Sequence, residues 1–299
     1  NADPASVCYT AHKKAIEDET QILICDTAGR LHTRHNLMEE LGKIRRTIAK
    51  QDETAPHLTL LVVDATTGSN ALNQAREFHK AVALDGLIVT KLDGSGKGGV
   101  TVAIQQDLGI SPRFIGVHMT QLSDAEITQY ALRGAHVVHC PESNLKLASG
   151  FCPLQKLLDA GVNLALGTDG AASNNDLDMF SEMKTAALLA KGVSGNATAV
   201  PAQQALAMAT INGAKALGIS NKTGSLSIGK YADLVVVDFS SIEATPVYDP
   251  VSHLVYCCGR EQVSDAWVEG KHIMKNRTIT TLETDRIKQA ANEFSAKLK

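Results

Sequence analysis

Short apolar runs alternate with helix-length amphipathic stretches along the first half of the chain, and this alternation limits the fold more than any other feature. Residues 21–26 (QILICD), 58–64 (LTLLVVD), 86–90 (GLIVT) and 113–117 (RFIGV) are apolar without a two-residue period, the pattern of parallel strands buried on both faces. Between the first two, Leu37, Leu41, Ile44 and Ile48 recur at spacings of 4, 3 and 4, which puts one apolar stripe on a helix. Further helices are expected at 70–82 and 99–108. Strand–helix–strand order of this kind builds a parallel α/β sheet or barrel.

The order continues past residue 117 without a linker. Residues 137–140 (VVHC) and 162–169 (VNLALGTD) read as strands, and 123–133, 153–160, 177–191 and 201–217 as helices. Pro201 suits a first helical turn and Gly218 a C-terminal cap. From residue 224 the character changes to turns and strands, at 232–238, 254–258 and 266–269. A last amphipathic helix is expected over 283–299, with Ile287, Ala291, Phe294 and Leu298 on one face.

Composition excludes several classes. With 44% hydrophobic residues in 299, a sizeable core can be buried. A net charge of −3 gives no electrostatic reason to bind nucleic acid or an anionic membrane. No apolar run approaches the roughly 20 residues of a membrane helix, so a soluble chain is expected. Six scattered cysteines without a C-x-x-C pair fit reduced thiols in a cytoplasm better than a disulfide scaffold or zinc ribbon. Cys257 and Cys258, adjacent in a β-like run, are expected on opposite faces. No secretory signal opens the chain, which begins with Asn, as a processed, trimmed or engineered segment does. The residues carry no signal of oligomeric state.

Two motif sets follow one another. Residues 26–30 (DTAGR), 36–41 (NLMEEL), 64–68 (DATTG) and 90–99 (TKLDGSGKGG) resemble, in that order, the GTPase domain of the bacterial signal-recognition-particle receptor, over about residues 3–117. The resemblance implies that Asp26 and Gly29 lie beside phosphate, and Lys91 and Asp93 beside guanine. No G-x-x-x-x-G-K-[ST] loop occurs, so GTP and magnesium are not expected to bind and these four positions read as vestigial.

From residue 118 the chain resembles the metal-dependent amidohydrolases, nearest the 5-methylthioadenosine/S-adenosylhomocysteine deaminase group. The motifs are 117–122 (VHMTQL), 138–150 (VHCPESNLKLASG), 166–175 (LGTDGAASNN) and 224–238 (GSLSIGKYADLVVVD). The resemblance implies that Asp169 binds zinc and moves a proton, that His118 faces the substrate and the metal-bound water, and that His139 and Ser173 line the substrate pocket. It also implies an H-x-H pair on a first strand and a His on a fifth. No H-x-H occurs in these residues, so a weakened zinc site is expected.

The expected fold is α/β: an incomplete (β/α)-barrel-like chimera of four GTPase-derived and two amidohydrolase-derived parallel strands, with a partial C-terminal β-sandwich. An open doubly wound sheet is the alternative. Three parts are expected: 1–117, derived from a GTPase; 118–223, a partial amidohydrolase barrel with following helices; and 224–299, a partial β-sandwich and terminal helix. The function read from this is that of an amidohydrolase remnant, hydrolysing a C–N bond of a small adenosine-type nucleoside, with activity weak or lost. A GTP-binding receptor fragment in protein targeting and a folded scaffold without catalysis stand as alternatives.

Overall fold

In the computed structural model, which describes residues 3–20, 22–27, 34–64, 69–90 and 114–297, most of the apolar runs become strands of one sheet. β1 (Leu60–Asp64), β2 (Gly86–Thr90), β3 (Ile115–Val117) and β4 (His136–His139) pair in parallel as successive neighbours. With β5 (Asn163–Leu166) the order is β1-β2-β3-β4-β5. It never reverses, as along the wall of a (β/α) barrel; the doubly wound alternative requires a reversal that the described strands lack.

Among the described residues, five strands stand where six were expected. Residues 22–27 form no strand, and Ile22 and Ile24 are 78% and 84% exposed. A strand exists only through ladder bonds, and among the described residues β1 is an edge whose sole neighbour in the sheet is β2. An apolar run supplies hydrophobicity but not a partner. Three strands rather than four therefore precede residue 118 among the described residues, and the helix expected at 99–108 lies outside them.

The chain divides into two units, Asn1–His139 with Leu147–Asn163, and Cys140–Lys146 with Leu164–Lys299. In the first, the stripe read from the sequence is the buried face of α2 (Arg34–Ala49): Leu37, Leu41, Ile44 and Ile48 are all buried. Ile44 and Ile48 pack with Ala5 and Cys8 of α1 (Pro4–Glu17), a helix whose pattern gave no warning. Its moment is diluted by Lys13, Lys14 and Glu17, and its start rests on Pro4 in the first turn. α3 (Ser69–Val82) buries Ala71, Ala75, Phe78 and Val82, again at spacings of 4, 3 and 4. α4 (Asp124–Leu132) starts on a reciprocal capping box between Ser123 and Glu126, and its Tyr130 meets Phe114 edge to face at 5.5 Å.

The second unit packs small side chains. α7 (Met179–Ser194) buries Ala186, Ala187 and Ala190, and α8 (Ala202–Ala209) buries Ala202 and Ala205, which lets helix backbones approach closely. The single helix expected over 201–217 is two, because Thr210 adopts φ −130°, ψ −98° and bonds its hydroxyl to Leu206 O. α9 (Ile211–Ala216) then ends before Gly218, whose φ of 71° is the cap expected of it.

Residues 254–258, expected as a strand, belong to the helix α10 (Pro250–Tyr256) and its end. Asp249 caps that helix by accepting from Ser252 N–H, and Pro250 takes the first turn, two local signals that outrank the β-like composition. Cys257 is exposed and Cys258 buried all the same, and all six cysteines are free. Where a partial β-sandwich was expected, the described residues form one antiparallel sheet, β6 (Leu234–Val237), β7 (Val263–Val268), β8 (Lys271–Lys275) and β9 (Thr278–Ile279). The last helix, α11 (Thr284–Lys297), forms as expected, but its apolar stripe is uncovered: Ile287 and Phe294 are exposed. Among the described residues no helix is long and apolar enough to cross a membrane.

Candidate active site

β5 ends at Leu166, and three residues later the chain turns through Asp169 at φ 61°. A left-handed conformation costs a non-glycine residue roughly 1–2 kcal/mol, least for Asp and Asn, whose side chains bond locally. Asp169 does so, accepting from Gly170 N–H at 2.7 Å through Oδ1. Its Oδ2 accepts two hydroxyls, Ser143 Oγ and Ser173 Oγ, each at 2.7 Å. Ser143 is fully buried on the short helix α5 (Pro141–Lys146). The structure bonds Asp169 to Ser173, two positions that the resemblance singled out for separate roles, and to Ser143, which lies inside the HCPESN motif but was not singled out.

The rest of the turn is held as firmly. Lys146 Nζ donates to Asn175 Oδ1 and, at 3.2 Å, to Ala172 O. Asn174 spends its whole amide on the loop and on Glu182. Glu182 is fully buried on α7, and burial pushes its carboxyl up to about 7. Bonds from Glu142 N–H and the Asn174 amide pull it down, while charge on Glu142 and Asp169 pushes it up. Burial likewise lifts the Cys140 thiol to about 12, with negative charge on Glu182 and Asp169 acting the same way, so this cysteine is no nucleophile.

The two histidines lie in the other unit. His118 follows β3 at φ 69°, with its N–H bonded to Val138 O at 2.9 Å, and Met119 behind it also has a positive φ of 52°. Met119 folds back over Gly116, where a Cβ would come within 2.8 Å of Met119 Sδ, and the Tyr130 hydroxyl reaches the same sulfur at 3.6 Å. His136 and His139 face opposite sides of β4, as a spacing of three on a strand requires. His136 Nδ1 meets Asn163 Nδ2 at 3.0 Å, whereas His139 is 1% exposed and neither of its ring nitrogens has a hydrogen-bond partner among the described residues. Burial, then charge on the adjacent His118, drives His139 down to about 3, so it is a neutral imidazole.

Asp26 is exposed on the extended segment after residue 22, and Gly29, Lys91 and Asp93 lie outside the described residues. Among the described residues no group of three or more His, Cys, Asp or Glu side chains could hold a metal ion. Asp169, the one position that the resemblance matched to zinc, has both carboxylate oxygens bonded to neighbouring hydroxyl and amide groups. The described donors alone do not fit a catalytic zinc, which takes three protein ligands and an open position.

A turn carrying a restrained carboxylate beyond a parallel strand is where (β/α) enzymes keep their chemistry. The comparisons define which enzymes. The chain belongs to the amidohydrolase family, whose model matches residues 47–273. It is 51% identical over 193 residues to the 5-methylthioadenosine/S-adenosylhomocysteine deaminase of Teredinibacter turnerae, a match covering 64% of this chain and 44% of that protein. It is 45% identical over 202 residues to the 5'-deoxyadenosine deaminase of Methanosarcina acetivorans, covering 67% and 46%. The crystal structure of an adenosine deaminase from Xanthomonas campestris with bound zinc matches with a TM-score of 0.76 at 40% identity, over 87% of this chain and 62% of that one. The chain therefore spans less than half the length of these two curated relatives. None of these matches is a GTPase, and the family match opens at residue 47, inside the segment whose motifs resemble one.

Proposed function

We propose that this chain carries the Asp169 side of an adenosine-type deaminase, which hydrolyses the C–N bond of the amino group on a small nucleoside such as methylthioadenosine or S-adenosylhomocysteine. Asp169 moves the proton, His118 and His139 line the base, and Ser173 helps to hold the substrate. The observation that supports this is the Asp169 carboxylate, presented beyond a strand end and fixed by Ser143, Ser173 and Gly170 N–H. Relatives named as deaminases of closely related nucleosides support the substrate class. We further propose that the chain is organised as 1–117, 118–223 and 224–299, that the GTPase-like motifs of the first part are vestigial, and that zinc is held weakly and turnover is slow. The bonds that already occupy both Asp169 carboxylate oxygens support a weak hold on zinc.

The test is ammonia release from methylthioadenosine with added zinc, beside binding of the nucleoside and of GTP. The expected result is slow release that disappears in Asp169→Ala, with nucleoside binding retained and no GTP binding at millimolar concentration. Release that survives Asp169→Ala would overturn the role given to Asp169. Failure to bind the nucleoside would overturn the substrate class, and rapid turnover would overturn the weakened site.

A further inference from the structure

We propose that Glu182 is the positioning residue of the Asp169 turn, acting through Asn174. This rests on the role given to Asp169 above, but its geometry stands without it. Glu182 lies on α7, four residues after the capping residue Asp178, with no exposed surface, and among the described residues it forms no ion pair with a lysine or arginine. Burying a carboxylate without a counter-charge is costly, so its donors must be in place. One oxygen accepts from Asn174 Nδ2 at 2.6 Å, and the other from the backbone N–H of Glu142 at 3.3 Å.

Asn174 transmits the restraint. The same Nδ2 donates to Thr168 O at 2.8 Å, just before Asp169, and its Oδ1 accepts from Asp176 N–H at 3.1 Å and Leu177 N–H at 3.4 Å, just after the turn. One amide therefore ties both ends of the turn to a single buried carboxylate. Between those ends sit Asp169 and Asn175 in left-handed conformations, with φ of 61° and 73°, and Leu177 at 54° closes the segment. Residues in that region persist only where their surroundings over-determine them. On the neighbouring α5, the Glu142 carboxylate accepts from Ser181 and, at 3.0 Å, from Thr185 of α7, so the helix that bears Ser143 is tied to the same two turns of α7. Glu182 bonds to Asn174 and to Glu142 N–H; through Asn174 it places the loop on which Asp169 and Ser173 stand.

The experiment compares Glu182→Ala, Glu182→Gln and, as a control on the same helix, Met183→Ala, whose buried side chain is apolar and donates no hydrogen bond to the turn. Amide hydrogen exchange over 168–177, the side-chain amide resonances of Asn174 and thermal stability are measured on the whole chain. Glu182→Ala is expected to speed exchange of the Asp176 and Leu177 amides at least about tenfold and to shift the Asn174 resonances towards solvent values. Glu182→Gln, which keeps an oxygen for Asn174 Nδ2, restores most of both. Met183→Ala lowers stability without moving either readout ahead of global unfolding. Unchanged exchange and resonances in a folded Glu182→Ala, or equal changes in Met183→Ala, would overturn the proposal. Where turnover is measurable, kcat falls in Glu182→Ala with KM unchanged. An unmodified chain without turnover would count against the deaminase reading, while exchange still decides the role of Glu182.

Discussion

The Asp169 turn and the His118–His139 strand ends both place ionisable side chains in motifs of the same family, yet they are built on opposite principles. Asp169 has a bonded neighbour for each carboxylate oxygen, and the turn beneath it is stapled by Asn174 and Lys146. His139, by contrast, is buried where Asp169 is exposed, and neither of its ring nitrogens bonds to anything among the described residues. A group bonded at every acceptor is held in one geometry, whereas a buried polar group without a bond raises the energy of the folded state. Asp169 is fixed by hydrogen bonds; among the described residues His139 is fixed by burial.

That contrast can be broken by mutation, starting from the largest effect. Asp169→Ala is expected to lower the proposed turnover by about 10²-fold or more, the usual worth of a positioned proton carrier; a rate assay with saturating nucleoside checks it. Ser143→Ala removes a fully buried hydroxyl that donates to the exposed Asp169 carboxylate, and is expected to cost about 1–3 kcal/mol in urea unfolding, the range for a hydrogen bond to a charged group. His139→Leu runs the other way: it removes a polar ring that has no hydrogen-bond partner among the described residues, so the same experiment should show no loss or a small gain. Equal destabilisation by the two substitutions would erase the comparison. Gly116→Ala pushes a methyl into Met119 Sδ and is expected to cost about 1–3 kcal/mol, relieved in the double variant with Met119→Ala.

Acidity gives a further contrast, smaller in effect. His139 has its folded value near 3, far below the ordinary 6.5. The unfolded chain therefore binds the extra proton first, and the stability that the neutral ring confers is present above 6.5 and lost as pH falls towards 3. Glu182 is shifted upwards, to about 7 from 4.5. The folded chain takes up that proton first, so this group adds stability as pH falls from 7 towards 4.5 and withdraws it as pH rises. Unfolding midpoints of His139→Leu and Glu182→Gln across pH 4 to 8 should flatten opposite slopes. The exposed Lys156–Asp124 pair, at 2.7 Å, marks the lower end of the scale: its removal should change stability by less than about 1 kcal/mol.

Much of this was legible in the residues, and what was missed has physical causes. Periodicity located α2 down to its buried positions, because a stripe of Leu and Ile at 4, 3, 4 can be satisfied only against a core, and located α3 as a range without its buried positions. The strands at 60–64 and 86–90 were equally clear. The run at 21–26 misled because a period-free apolar stretch does not say whether a partner strand exists. Residues 254–258 misled because the capping signal, Asp249-Pro250, sits ahead of the β-like letters it overrides. Motif resemblance pointed to Asp169 and Ser173, whose pairing is a local i, i+4 contact. Ser143 and Glu182 were missed because their partners lie 26 and 8 residues away, beyond local patterning, and because nothing marks a buried glutamate in a helix as different from an exposed one.

The most direct test of the account is zinc content by mass spectrometry after zinc loading and exhaustive dialysis, comparing the chain with Asp169→Ala. If Asp169 is committed to its hydroxyl and amide neighbours, both preparations retain far less than one zinc per chain. One tightly held zinc per chain, lost in Asp169→Ala, would contradict the account and show a complete metal centre that recruits Asp169 away from Ser143 and Ser173.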